Sequence, residues 1–314
     1  MEQHNDMNIE NISTVLKNYD LAETFPAVLL RESEDNEVFV VGEKNKKILR
    51  ISKRLPVTEI RFEYEAIACL SRGGVAVPVW LTTKTGDFYT LIDGRVAVLF
   101  DFLNGHHVLV DKDNFPNQVQ AYNAGRGLGL ISNAASGFVP TSPRARNIFS
   151  ELDRVIALEK VFSEQFEGGK EFVEQVREAI LFAKNQKEVY CLIHNDYRPS
   201  NVFFNDADEF VGVIDFDWGC VGPIIKDLAL AVVEWSFPDG ATEPDFKVFD
   251  EFLKGYNSVA NHKCSKDKKL YSWIKFATLS DAATYFCDLA DDANATKRVI
   301  KSYMYRKYLF FSGL

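Results

Sequence analysis

The sequence of 314 residues predicts an α+β chain in two lobes, a small β-rich one over residues 1–102 and a larger, mainly helical one over 103–314. Two textures predict this. Up to Phe102, short apolar runs are broken by polar turn formers, the pattern of strands. Beyond Asn104-Gly105, apolar residues recur at helical spacing over longer stretches, with a few short apolar runs between Tyr190 and Ile214. The length suffices for two packed lobes, and no internal repeat or low-complexity segment divides the chain differently.

The first elements follow from local chemistry. Val38–Val41 and Ile48–Ile51 flank the polar stretch Gly42–Lys46, so a hairpin is predicted. A helix is expected over Thr58–Ser71, with Phe62, Ala66, Cys69 and Leu70 at helical spacing, and Gly73-Gly74 stops it. Short strands are expected at Val79–Thr82, Phe88–Ile92 and Val96–Phe102.

In the second part, helices are expected over Asn117–Asn133, Asn147–Phe162 and Lys170–Asn185. Strands follow at Tyr190–Ile193, Val202–Phe204 and Phe210–Ile214, and the rest from Ile224 is read as helical. The basic, aromatic stretch Lys297–Lys307 suits a packed amphipathic helix.

Composition narrows the function classes. Hydrophobic residues at 46% and charged ones at 26% are those of a globular chain, not a disordered one. A net charge of −9 argues against a general nucleic-acid binder, whose footprint is basic. The five cysteines are scattered with no C-x-x-C pair, which predicts core thiols in a reducing compartment rather than disulfides or a zinc site. Met1–Glu10 lacks the apolar stretch of a signal peptide, and no run is long enough to span a bilayer. The expectation is a cytoplasmic protein without a membrane partner.

Three motifs carry chemistry. The first, His194-Asn195-Asp196-Tyr197-Arg198-Pro199-Ser200-Asn201, has the H-x-D-x-x-x-x-N spacing of a kinase catalytic loop, between two short apolar strands. An Asp at the mouth of a tight loop can accept the proton of an incoming hydroxyl. An Asn five residues on can turn its carbonyl oxygen toward a metal held on a triphosphate.

The second motif, Ile214-Asp215-Phe216-Asp217, ends a strand nineteen residues after Asp196. Magnesium takes oxygen ligands and usually only one or two from the protein, which Asp215 and Asn201 can supply. The third, Gly222-Pro223 followed by Asp227-Leu228-Ala229, opens a helix. Asp227 there either braces the loop through backbone hydrogen bonds or complements the helix dipole, and the two roles are compatible.

Together these motifs resemble the aminoglycoside phosphotransferase, choline kinase and homoserine kinase superfamily, whose members share a bilobal, protein-kinase-like fold. The resemblance is concentrated in residues 190–235, with a fainter echo in 36–105. It implies ATP and Mg2+ as cofactors, Asp196 as catalytic base, Asn201 and Asp215 as magnesium ligands, and His194 as a structural brace. The reaction implied moves the γ-phosphoryl group of ATP to a hydroxyl of a small molecule.

The echo implies further roles. Arg50 occupies the position of a strand cation that neutralises the α- and β-phosphates, where many members use Lys. Its partner is a helix glutamate: Glu63 shares a face with Ile67 and Leu70, whereas Glu65 lies on another. Arg31–Glu37 would cover the phosphates without any glycine, leaving Ser33 and backbone amides to that task. Phe100-Asp101-Phe102-Leu103 resembles the hinge, and Asp101 and Phe102 are its candidate adenine contacts.

For the acceptor pocket, Glu234, Trp235, Trp273, Asp281 and Tyr285 are the acidic and aromatic candidates able to seat an ammonium group. Homoserine, an amino alcohol such as choline, an aminoglycoside and a sugar all stay open. A protein Ser/Thr acceptor is disfavoured, because only eight residues separate Asp217 from Lys226. A catalytically silent binding module of the same fold is disfavoured because the base and both metal ligands are retained.

Overall fold

The structure, a computed structural model, describes residues 9–19, 21, 26–33, 35–110, 114–142, 144–292, 297–299 and 302–314. The chain divides into two compact units, Met1–Asn104 with Val139–Arg144, and Gly105–Phe138 with Ala145–Leu314. The class is α+β, as the sequence predicts.

In the first unit, α1 (Ile9–Leu16) precedes β1 (Ala27–Glu32), β2 (Asn36–Val41) and β3 (Lys47–Ser52). Next come α2 (Val57–Arg72), β4 (Thr90–Ile92) and β5 (Arg95–Asp101). The strands form one antiparallel sheet in the order β1-β2-β3-β5-β4. Strand side chains alternate between faces. Phe39, Val41, Leu49, Ile51, Ala97 and Leu99 therefore share a core with Ile12, Val15 and Leu16 of α1. Arg50, between Leu49 and Ile51, points to the opposite face, where α2 supplies Glu63. The segment Val139–Arg144 is tied to α2 by Arg144–Glu59 at 3.0 Å and by Thr141 N–H donating to Glu65 at 2.8 Å.

Three expectations for this unit are corrected. Val79–Thr82 is not a strand but a single bridge from Trp80 to Phe100. Neither α1 nor β1 was anticipated: β1 exposes Val28, Leu29 and Leu30, so its sequence lacks an alternating pattern. The loop expected over Arg31–Glu37 is shorter, since residues 31–32 belong to β1 and 36–37 to β2; position 34 lies outside the described residues.

The second unit opens with α3 (Gln118–Ala134), α4 (Ser150–Ala157), α5 (Glu159–Gln165) and α6 (Gly169–Lys184). Four short strands follow, β6 (Tyr190–Ile193), β7 (Val202–Phe204), β8 (Phe210–Val213) and β9 (Cys220–Pro223). Helices α7 (Ile224–Ser236), α8 (Phe246–Val259), α9 (Lys268–Asp291) and α10 (Tyr303–Ser312) complete it. The single helix expected over Asn147–Phe162 is two, broken at Leu158, whose ψ is 15°. Strand β9 was read as loop because Gly222-Pro223 is a turn signal.

Helices α3 and α8 cross at near-contact distance through glycine. A Cβ at Gly125 would lie 2.0 Å from the Phe252 carbonyl oxygen, and one at Gly255 would lie 1.9 Å from that of Tyr122. This crossing backs the loop from His194 to Asn201: Tyr197 is fully buried, and its hydroxyl donates to the Ala124 carbonyl of α3 at 2.8 Å.

Candidate active site

Two antiparallel ribbons, β6–β9 and β7–β8, deliver the chemistry-bearing residues. β6 ends at Ile193, opposite Cys220, and the chain turns sharply at Asn195, whose φ is 64°. Asparagine tolerates this left-handed conformation better than most residues. Asp227, in the first turn of α7, holds the turn: Oδ2 accepts the His194 N–H at 2.9 Å and Oδ1 the Asn195 N–H at 2.7 Å. Such charge-assisted bonds are stronger than neutral ones.

His194 is completely buried. Its Nδ1 accepts the Asp196 N–H at 3.3 Å, and its Nε2 meets the Ile214 carbonyl at 2.9 Å. That pairing requires a neutral ring with its proton on Nε2. Burial keeps it neutral by lowering its pKa, against the opposing pull of Asp227. The ring thus ties Asp196 to the residue preceding Asp215.

Asp196 is gripped on both oxygens. Oδ1 accepts Arg198 Nε at 2.6 Å and pairs with Arg198 Nη2, while Oδ2 accepts Asn201 Nδ2 at 3.0 Å. The same Asn201 nitrogen also donates to the Asp196 carbonyl at 2.9 Å. Burial pushes the Asp196 carboxyl up to about 7; Arg198 pulls it down, and Asp215 and Asp281 add to the rise.

Asp215 reaches the same end of the β7–β8 ribbon. Val202 lies opposite Val213, and Ile214 N–H donates to the Asn201 carbonyl at 2.9 Å, extending the ladder to the residue before Asp215. Asp215 has φ of 68°. Left-handed backbone at Asn195 and Asp215 costs about 1–3 kcal/mol each and persists only where surrounding bonds hold it.

With its amide nitrogen committed to Asp196, Asn201 presents a carbonyl oxygen, and Asp215 adds a carboxylate. These hard oxygen donors fit Mg2+, which takes few ligands from protein and the rest from phosphate and water. No group of three or more His, Cys, Asp and Glu suited to a metal occurs among the described residues.

Within the first unit, Arg50 and Glu63 form a two-pronged pair, Nη1–Oε1 at 2.9 Å and Nη2–Oε2 at 2.5 Å, with both side chains buried. Glu65 is engaged elsewhere, with Thr141. Ser33 Oγ accepts the Asn36 N–H at 3.1 Å and so closes its own turn between β1 and β2. The Asp101 amide donates to the Val79 carbonyl at 2.9 Å and its carboxylate pairs with Lys47. That amide is therefore not offered to a base; Phe102 follows it, under the Lys46 ammonium at 5.4 Å.

Of the five acceptor-pocket candidates, two are brought together. Glu234 and Asp281 influence one another, and both act on Arg198. Lys307, read as part of a basic amphipathic stretch, is buried and lies 3.4 Å from Glu234. Trp235, Trp273 and Tyr285 are corrected. Trp235 is core, its indole donating to the Tyr197 carbonyl at 3.1 Å. Trp273 is core against Phe182, with its indole on Glu188. Tyr285 is 52% exposed and packs on Phe286. Aromatic character marked these three, but in helices of this kind it serves packing.

The family of the chain follows from a comparison with known proteins. The phosphotransferase enzyme family matches residues 27–260. The chain belongs to this family. A homoserine kinase of Pseudomonas aeruginosa (strain LESB58) is 28% identical over 214 residues, 68% of this chain and 65% of that protein. The chain thus spans just under two thirds of that relative's length.

Among solved structures, an amicoumacin kinase in complex with AMP-PNP and Ca2+ has a TM-score of 0.71 at 14% identity, covering 97% of this chain and 91% of its own. A microcompartment-associated aminopropanol kinase has a TM-score of 0.64 at 18% identity, with 98% and 95% covered. Both share the fold.

Four residues at or beside the candidate site escaped the sequence reading. Arg198 stood inside the catalytic-loop motif, two residues past Asp196, and its charge was the available signal. Lys226 was a lone cation in the apolar run before Asp227; it is 2% exposed and donates to Asn195 Oδ1. Asn195 was legible only as a spacer. Arg146, some fifty residues upstream, lines a small pocket with Asn195 and Lys226 and carried no signal at all.

Proposed function

We propose that this chain transfers the γ-phosphoryl group of ATP to the hydroxyl of a small molecule. The observation that carries the reading is the grip on Asp196: a carboxylate oriented by Arg198 and Asn201, on a loop pinned by Asp227, beside the oxygen donors Asn201 and Asp215. Family membership and the homoserine kinase relatives support it.

In the proposed reaction, the acceptor oxygen forms a bond to the γ-phosphorus as the bond to the β,γ-bridging oxygen breaks. ADP leaves, and the hydroxyl proton passes to Asp196. Oδ2 accepts Asn201 Nδ2 on one lone pair, and its second lone pair is the one aimed at the hydroxyl. A carboxyl held near 7 suits a group that takes up a proton transiently.

Mg2+, held by the Asn201 carbonyl oxygen and the Asp215 carboxylate, would neutralise phosphate charge. Arg50, fixed by Glu63, is assigned to the α- and β-phosphates, the turn at Ser33 to covering them, and the backbone at Phe102 to the adenine edge. A protein acceptor is counted against by β9, which occupies the short stretch between Asp217 and Lys226.

The test is ADP release from MgATP against homoserine, choline, ethanolamine, aminoglycosides and sugars. Asp196→Asn should lower turnover by about 10²–10⁴-fold, while calorimetry still registers MgATP. Transfer that persists at wild-type rate in both Asp196→Asn and Asp215→Asn would overturn the reading.

A further inference from the structure

Two consecutive residues of α7 hold the same residue of the loop from His194 to Asn201. Asp227 Oδ1 accepts the Asn195 N–H at 2.7 Å, and the Lys226 ammonium donates to Asn195 Oδ1. The other end of that side chain is also taken: Asn195 Nδ2 donates to the Trp218 carbonyl at 3.1 Å. Asn195 is thus bound at its backbone and at both ends of its side-chain amide.

Each attachment reaches a different part of the candidate site. Asn195 immediately precedes Asp196 and has φ of 64°. Trp218 lies three residues past Asp215, and its ring carries the Arg146 guanidinium 3.7 Å from the centroid. Lys226, Asn195 and Trp218 therefore form a strut. It runs from α7, through the turn before Asp196, to the segment after Asp215.

A lysine is a costly choice at this place. Lys226 is almost fully buried, and burial lowers its pKa. Its bond to Asn195 is its only hydrogen bond among the described residues. Beside it lies a cavity of about 20 Å³, room for about one water, lined also by Asn195, Trp218 and Asp281. An apolar side chain would fill the same space without desolvating an ammonium. What it could not supply is a donor for Asn195 Oδ1.

We propose that Lys226 is a positioning residue for phosphoryl transfer: through Asn195 it locks the turn that aims Asp196 and ties that turn to the segment following Asp215. This rests on the phosphotransferase reading above. A residue held only through its N–H can still pivot about that bond, and the second attachment, through the side chain, removes that freedom. Asp227 thus sets where the turn lies, and Lys226 sets how it is rotated.

The test is a mutant cycle on the full chain. Lys226→Met keeps the apolar stem and removes the donor. Asn195→Gly removes the middle of the strut and suits a φ of 64°, so backbone strain does not confound it. With MgATP and whichever acceptor of the panel above turns over, each single variant should lose at least about ten-fold in kcat. KM for MgATP should change by less than about three-fold. The losses should not multiply: the combined variant should stay within about three-fold of the more damaged single, since both break one strut.

Hydrogen exchange adds a readout that needs no acceptor. In Lys226→Met, backbone amides of 194–198 and 216–220 should exchange at least about five-fold faster, with α3 and α8 unchanged.

Wild-type kcat in Lys226→Met would overturn the proposal and leave the phosphotransferase reading standing. Losses that multiply in the combined variant would do the same, by showing two independent roles. Exchange that rises throughout the second unit would also overturn it, by making Lys226 a residue of general stability. ADP from no acceptor with wild type would overturn both readings.

Discussion

Asp227 accepts the backbone amides of His194 and Asn195 on separate carboxylate oxygens, at 2.9 and 2.7 Å. Both donors sit in the turn that aims Asp196, so the helix carrying Asp227 sets the position of a residue it does not touch. Asp227→Asn keeps the shape but replaces one acceptor with a donor. The expected cost is about 1–3 kcal/mol of stability. Turnover should fall about 100-fold through misplacement of Asp196, with KM for ATP changed only a few-fold. Denaturant titration and steady-state kinetics check this; unchanged turnover in a folded variant would refute it.

Arg50 and Glu63 form a buried ion pair, and removing one partner leaves an uncompensated charge. Glu63→Ala should destabilise the protein by about 3–5 kcal/mol. The double variant Arg50→Met, Glu63→Leu should recover most of that loss, because apolar replacements of similar volume need no pairing. It should not recover MgATP affinity if Arg50 meets phosphate as proposed. Melting curves and calorimetry on the same samples separate the two roles; regained nucleotide affinity would leave Arg50 purely structural.

His194 gives a pH dependence with a definite sign. Burial holds its folded-state pKa below the unfolded value of about 6.5. The unfolded chain therefore binds a proton first as the pH drops. The stability this group contributes is complete above about 6.5 and is lost as pH falls toward the folded pKa. His194→Gln should show a shallower loss of denaturant midpoint between pH 7.5 and 5.0 than wild type does. Equal slopes would count against a buried neutral imidazole.

Gly125→Ala tests the helix crossing behind the loop. Helix propensity alone favours alanine by about 1 kcal/mol. The new Cβ would meet the Phe252 carbonyl oxygen at 2.0 Å, and backbone does not yield as a side-chain end does. Overpacking of this kind costs about 1–3 kcal/mol or more, so the net effect should be destabilising. A raised melting temperature would show that α3 and α8 separate at little cost.

Much of this was legible before any coordinates. The H-x-D-x-x-x-x-N run, the Asp closing an apolar strand and the Asp opening a helix are local in sequence, and each dictates its own turn. Glu63 could be chosen over Glu65 because helical periodicity assigns faces. The exposed strand β1 was invisible because its apolar residues do not alternate with polar ones. Strand β9 hid behind Gly222-Pro223, whose turn chemistry is equally at home at a strand end.

By itself, then, the sequence determined the fold class, the order of the motifs and which residues are candidates for the chemistry, since these rest on spacing within a few turns of chain. Tertiary structure alone decided which charges share a cavity. Arg146, Lys226 and Asp281 come from three separate segments, and nothing in their local patterns says that they converge. It also decided that Trp235 and Trp273 are core while Lys226 is buried beside the loop. Burial and pairing depend on what packs against a residue, and that partner lies too far along the chain for any local pattern to encode.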